Sequence, residues 1–166
     1  ELWQESTANY SAIQKMGEPI SERTSLVLAP SVVEQMIGQY LLPNFDGERV
    51  IHGQSKFKVE DFTNQVQVLA EGLSLEIDPL RPYHWNSYLT TGEGIPAVRT
   101  VLAYYGCLQS PYLNVKNANR WGLTPTALPT GASSIIFKHD KQVLWQEALS
   151  QIDDGVLILS VLGIHT

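Results

Sequence analysis

Apolar and polar residues alternate along two stretches, Gln65-Val66-Gln67-Val68-Leu69 and Leu73-Ser74-Leu75-Glu76-Ile77. A period of two sends successive side chains to opposite faces of a sheet, so both stretches read as half-buried strands. Apolar runs at 25–29, 134–138 and 156–161 read as further strands, the first bounded by Pro30. Residues 98–104 and 107–113 read as two arms of a hairpin turning at Tyr105-Gly106. The spacing changes at Val32, Val33, Met36, Ile37, Tyr40 and Leu41, which predicts a helix over about 31–42. Ser31 as N-cap with Glu34 three residues on would complete a capping box, and Pro43 would end the run. Helices are also expected at about 114–121 and 142–152. The polar region 44–63 reads as irregular, with a short helix near 47–53. Leu2, Trp3, Tyr10, Ile13 and Met16 are loosely helical in spacing, and Gly17-Glu18-Pro19 close that segment, so residues 1–20 read as a connecting helix or linker. Several hairpins among isolated helices indicate an α+β fold with a largely antiparallel sheet and a few packed helices.

Composition narrows the function classes. With 43% hydrophobic and 17% charged residues in 166, the chain can bury one sizeable core and is not of disordered type. No apolar run approaches the roughly 20 residues of a membrane span, and the segment from Glu1-Leu2-Trp3 has no basic region followed by an apolar stretch, so no signal peptide is visible in it. One cysteine, Cys107, allows no intrachain disulfide, and a reducing cytoplasm is the economical reading. Asn9-Tyr10-Ser11 then reads as a chance match to a glycosylation acceptor. The net charge is −6 and the eleven Lys and Arg are dispersed. Counterion release from phosphates needs a concentrated cationic face, so direct nucleic-acid binding is not expected.

No complete catalytic site is legible. Zinc peptidases place two histidines one helical turn apart, but His52, His84, His139 and His165 are scattered. No catalytic or metal-ligating residue is therefore assigned. Gly92-Glu93-Gly94-Ile95-Pro96-Ala97 fits a dinucleotide fingerprint in letters only, because a β-rich segment follows and Pro96 sits inside it. It reads as a structural turn. Cys107 has no cationic neighbour to stabilise a thiolate and reads as a small packing residue. Tyr83, Trp85 and Tyr88 read as a packed corner held by Pro79 and Pro82, ahead of the alternative, a ligand groove.

Three stretches taken in order carry a resemblance. The first is Thr91-Gly92-Glu93-Gly94-Ile95-Pro96 running into Arg99-Thr100-Val101-Leu102 and the Gly106 turn. The second is Asn117-Ala118-Asn119-Arg120-Trp121-Gly122-Leu123-Thr124-Pro125-Thr126, and the third is Leu162-Gly163-Ile164-His165-Thr166. Their order and spacing resemble the C-terminal domain of the TldD/PmbA family, also called modulators of DNA gyrase, over about residues 23–166. The resemblance marks Glu93, Gly94, Pro96, Arg99, Arg120, Gly122, Pro125, Thr126, Gly163, His165 and Thr166 as motif residues without assigning them roles.

The family forms a two-subunit peptidase in which the TldD branch carries a zinc-binding His-Glu-x-x-x-His helix and the PmbA (TldE) branch lacks it. Here the corresponding helix, Pro30 to Tyr40, contains no histidine, so the chain resembles the PmbA branch. That implies a non-catalytic subunit in peptide processing, proteolysis or peptide maturation. No cofactor is then expected in this chain, and zinc is expected in a TldD-like partner. The expected partners are that subunit, or a second copy of this chain, and peptide substrates captured by strand addition to an exposed sheet edge within 98–113. The family members' greater length implies that residues 21–166 are the N-terminal part of the C-terminal domain, an incomplete piece of a larger β-rich unit. Two rivals stay open. One is an interaction module acting on gyrase or toxin–antitoxin control. The other is a stand-alone metallopeptidase whose site joins His84, His139 or His165 to Glu93.

Overall fold

A proline has no backbone N–H and a fixed φ, which suits it to the first position of a helix. In the computed structural model, helix α1 (Pro30–Met36) starts on Pro30 with Ala29 as its N-cap. Ser31 therefore lies inside the first turn, and the expected Ser31–Glu34 capping box does not form. The structure describes residues 3, 6, 7, 10, 11, 14, 17, 20–129, 135–152 and 155–161. Past Met36 the helix widens into a π turn (Ile37–Leu41) and then tightens into a 3₁₀ turn (Leu42–Phe45). Pro43 does not end the run, since it sits at the start of that tighter turn. The change of pitch brings Ile37, Leu42 and Phe45 all into the core.

The other elements are β1 (Ser25–Leu28), α2 (Gly47–Ile51), α3 (Val59–Thr63), β2 (Leu73–Ile77), β3 (Thr100–Tyr104), β4 (Cys107–Leu108), α4 (Val115–Trp121), β5 (Ile135–His139), α5 (Trp145–Ser150) and β6 (Gly155–Ile158). Strands β4-β3-β2-β5 form an antiparallel sheet, and β1 pairs with β6 in parallel, Leu26 opposite Val156. The fold is thus α+β with a mostly antiparallel sheet. The described residues 3, 6, 7, 10 and 11 are helical, as expected for that segment. Leu2, Ile13 and Met16 lie outside the described residues.

One face of the sheet supplies Leu75, Ile77, Leu102, Ala103 and Leu108 to the core, against Ile37, Leu42 and Phe45 from the α1 extension. Phe45, Phe57, Phe62 and Trp121 pack edge to face with ring centroids 5.2–6.2 Å apart. Full burial of such a side chain contributes roughly 1.5–3 kcal/mol, the case for Phe45 and Phe62, while Phe57 and Trp121 are partly buried.

Two strand expectations change. Residues 65–69 form no strand, and only Gln67 makes an isolated bridge, to Cys107. Val68 and Leu69 both donate to the Gly106 carbonyl, at 2.9 and 3.1 Å, so the segment crosses the β3–β4 turn instead of extending a ladder. The second hairpin arm stops at Leu108, short of the expected 113. The turn itself is as expected: Tyr105 (φ 49°) and Gly106 (φ 85°) both adopt the left-handed conformation of a two-residue hairpin loop. α5 is shorter than the expected 142–152 because Leu144 is its N-cap. α3 falls in the region read as irregular.

Candidate functional site

Most of the motif residues stitch loops together. Thr91 Oγ1 accepts from Glu93 N (3.3 Å) and Ile95 N (3.2 Å), and Gly94 takes φ 77°, closing a tight loop over 91–96. Pro96 makes an isolated bridge to Thr90. This is the structural turn expected of the G-x-G-x-x-A sequence. Glu93 then reaches out of that loop, and its Oε2 accepts from Val115 N at 2.9 Å, beside the Asn114 cap of α4. Gly122 ends α4 in the left-handed conformation, and Arg120 is exposed in its last turn, where a cation suits the helix dipole. Pro125 is half-buried. Thr126 Oγ1 accepts from Leu113 N at 2.7 Å, and Thr126 N donates to Leu113 O at 2.9 Å. Gly163, His165 and Thr166 lie outside the described residues.

Arg99 is the motif residue that reaches a groove. It leads into β3 and lies over the sheet face opposite the core, where it meets Glu76 of β2 and Lys138 of β5. Arg99 Nε donates to Glu76 Oε2 at 2.6 Å, Arg99 Nη2 donates to the same oxygen, and Lys138 Nζ donates to Oε1. The Glu76 side chain is only 6% exposed, whereas Arg99 and Lys138 are 56% and 47% exposed. Burial would raise the Glu76 pKa, but the hydrogen bonds and charges of Lys138 and Arg99 outweigh it and hold the carboxyl below 4.5. The groove has a volume of about 270 Å³, and Ser74, Tyr104, His139 and Asp140 also line it. Sequence reasoning singled out Arg99 and missed Glu76 and Lys138. The available signal was a carboxylate in the middle of an otherwise apolar strand.

The α1 helix, where the resemblance would put zinc ligands, instead offers apolar groups. Val32 and Ile37 are buried, and Val33, Met36, Tyr40 and Leu41 line an apolar groove with Leu28 and Phe137. Of the dispersed candidates, Glu93 is committed to α4. His84 Nδ1 lies 3.4 Å from Asn86 N, and its ring stacks on Trp85. His139 Nδ1 lies 2.9 Å from Lys141 N and 3.0 Å from Asp140 Oδ1. Among the described residues no three His, Cys, Asp or Glu side chains stand together as a possible metal site. Cys107 is half-buried with a free thiol.

The aromatic corner departs from expectation. Tyr88 does pack: its hydroxyl donates to Leu128 O (2.7 Å) and accepts from Leu128 N (2.9 Å), and burial lifts its pKa above 10 despite the second of those bonds. Trp85 is 80% exposed, and Tyr83 is fully exposed at φ 55°. Within this turn-rich stretch only one ring of the three has a backbone partner to anchor it.

The arrangement can be compared with known proteins. A protein described as uncharacterised from Methanocaldococcus jannaschii is 29% identical over 156 residues, which cover 90% of this chain and 36% of that protein. TldE from Thermococcus kodakarensis superposes with a TM-score of 0.73 at 20% identity, over 87% of this chain and 34% of that one. A protein described as a modulator of a DNA gyrase, from Thermotoga maritima, gives 0.74 at 21% identity, over 89% and 35%. The chain therefore spans about a third of the length of these relatives. At these identities the structural likeness establishes the fold. Residues 21–166 match the family described as PmbA/TldA metallopeptidase C-terminal domain, and the chain belongs to that family.

Proposed function

We propose that this chain acts as a TldE-like, non-catalytic subunit that holds peptide for a zinc-bearing TldD-like partner. The observation that supports this most is the chemistry of α1. Its apolar residues go to the core (Val32) and to an apolar groove (Val33, Met36), with no imidazole on the helix that carries zinc in the other branch. Zinc would then reside in the partner, and a second copy of this chain is the alternative partner. The single cysteine supports a cytoplasmic location as part of this reading, and no helix of the described residues is long and apolar enough to cross a membrane.

Peptide holding by strand addition needs an open sheet edge. The region 98–113 does not offer one: β3 is paired on both sides, and Leu108 N of β4 already donates to Val66 O. Among the described residues β5 is the open edge of the four-stranded sheet, so Ile135–His139 is where an extended peptide would add.

The test is cleavage of an unstructured peptide by the purified chain, alone and mixed with a TldD-like protein from the same genome. Activity only in the mixture, abolished by a chelator, is the expected result. Activity from the chain alone would overturn the reading. Hydrogen exchange supplies the second measurement: peptide should slow exchange in β5 and leave β3 unchanged.

A further inference from the structure

Glu76, Arg99 and Lys138 carry one negative and two positive charges, leaving one positive charge over on the outer face of the sheet. A guanidinium has five N–H donors and an ammonium three. Arg99 spends only Nε and Nη2 on Glu76, and Lys138 spends one donor. The remaining donors have no other acceptor among the described residues, and both side chains are about half exposed at the groove. Ser74, opposite Lys138 across the β2–β5 pair, accepts from Tyr105 N at 3.2 Å and keeps its own O–H to give.

We infer that this groove binds a carboxylate of the held peptide, with Arg99, Lys138 and Ser74 as the donors. The inference rests on the peptide-holding reading and adds to it the residue chemistry that is preferred. Charge selects the ligand class. A monoanion matches the surplus of one that Glu76 leaves on Arg99 and Lys138, whereas a phosphate dianion exceeds it. Asp140 is occupied locally, with its Oδ1 3.0 Å from His139 Nδ1 and 2.8 Å from Lys141 N, so it does not compete for the two cations. The carboxylate belongs either to a peptide C-terminus or to an Asp or Glu side chain within the peptide.

The experiment titrates four labelled peptides of Gly, Ser and Ala into the full chain, followed by fluorescence anisotropy. One has a free C-terminal carboxylate and one is amidated. The other two are amidated with a single internal Glu or Gln. At least one carboxylate-bearing peptide should bind about tenfold more tightly than its neutral counterpart, and which pair differs identifies the source. Lys138→Gln keeps the Arg99–Glu76 pair but removes the surplus charge, and should shrink the difference to less than about twofold. Glu76→Gln combined with Lys138→Gln restores a surplus of one and should restore the preference, a recovery that simple loss of folding cannot produce. Equal binding of all four peptides would overturn this inference alone, as would a preference that survives in Lys138→Gln. If none of the four binds, the peptide-holding reading falls and the inference falls with it.

Discussion

At the scale of single residues, Glu76 is a nearly buried carboxylate held between two half-exposed cations. Its folded-state pKa lies below 4.5, because two cations outweigh the cost of burial. As the pH falls, the unfolded chain takes up this proton before the folded one does. The stability it contributes is therefore fully present above about pH 4.5 and is lost as the pH drops through the folded-state value. Urea midpoints should separate wild type from Glu76→Gln at pH 7, and the gap should narrow below pH 4.5. A gap independent of pH would show that packing, not charge, is what Glu76 supplies. Gly106 is constrained in a different way. It holds φ 85°, and a Cβ there would lie 2.5 Å from Leu69 O and 2.9 Å from Ala70 O. Backbone atoms cannot swing aside as a flexible side chain can, so Gly106→Ala should cost about 2–4 kcal/mol by denaturant unfolding.

At the scale of elements, short helices here depend on caps more than on length. α2 has five residues, and its Asp46 cap accepts from Glu48 N at 2.9 Å. α4 has seven and draws on both Asn114 and the distant Glu93. Glu93→Ala should cost about 1 kcal/mol and speed amide exchange at Val115, while peptide binding to the outer sheet face stays within about twofold of wild type. Loss of binding would instead make Glu93 a ligand-contacting residue. These elements also show what was legible in the sequence. The strand containing Glu76, the Tyr105-Gly106 turn and α4 were readable, because each rests on local periodicity or backbone preference. α3 was missed because it buries only Phe62, although Asp61 accepting from Lys58 N at 2.8 Å is a cap its sequence allowed for. The stretch 65–69 misled because its alternation is real, but Gly106 claims its N–H groups first. The groove could not be read at all. Strand alternation placed Glu76 on the outer face, yet Arg99 lies 23 residues away and Lys138 62, and only the strand order brings them together.

At the scale of the whole molecule, two of the places where large apolar side chains remain uncovered bear on association. One is the groove beside α1, with Met36 and Tyr40 each 42% exposed. The other is the turn-rich stretch before β3, where Leu80, Tyr83, Trp85 and Leu89 are 49–109% exposed. Contiguous apolar surface of this kind marks contact with another protein more often than it marks fold stability. Trp and Tyr are also the residues that dominate binding energy when an interface forms. The chain spans about a third of its relatives' length, and the proposed function gives it a partner subunit. Trp85→Ser combined with Leu89→Ser tests whether the second surface serves association. Because both side chains are 80% exposed, the stability of the isolated chain should change by no more than about 0.5 kcal/mol in urea. Association should weaken at least tenfold by sedimentation velocity, measured against the TldD-like partner and against the chain itself. A fall in stability above about 1 kcal/mol with association unchanged would assign these side chains to intramolecular packing.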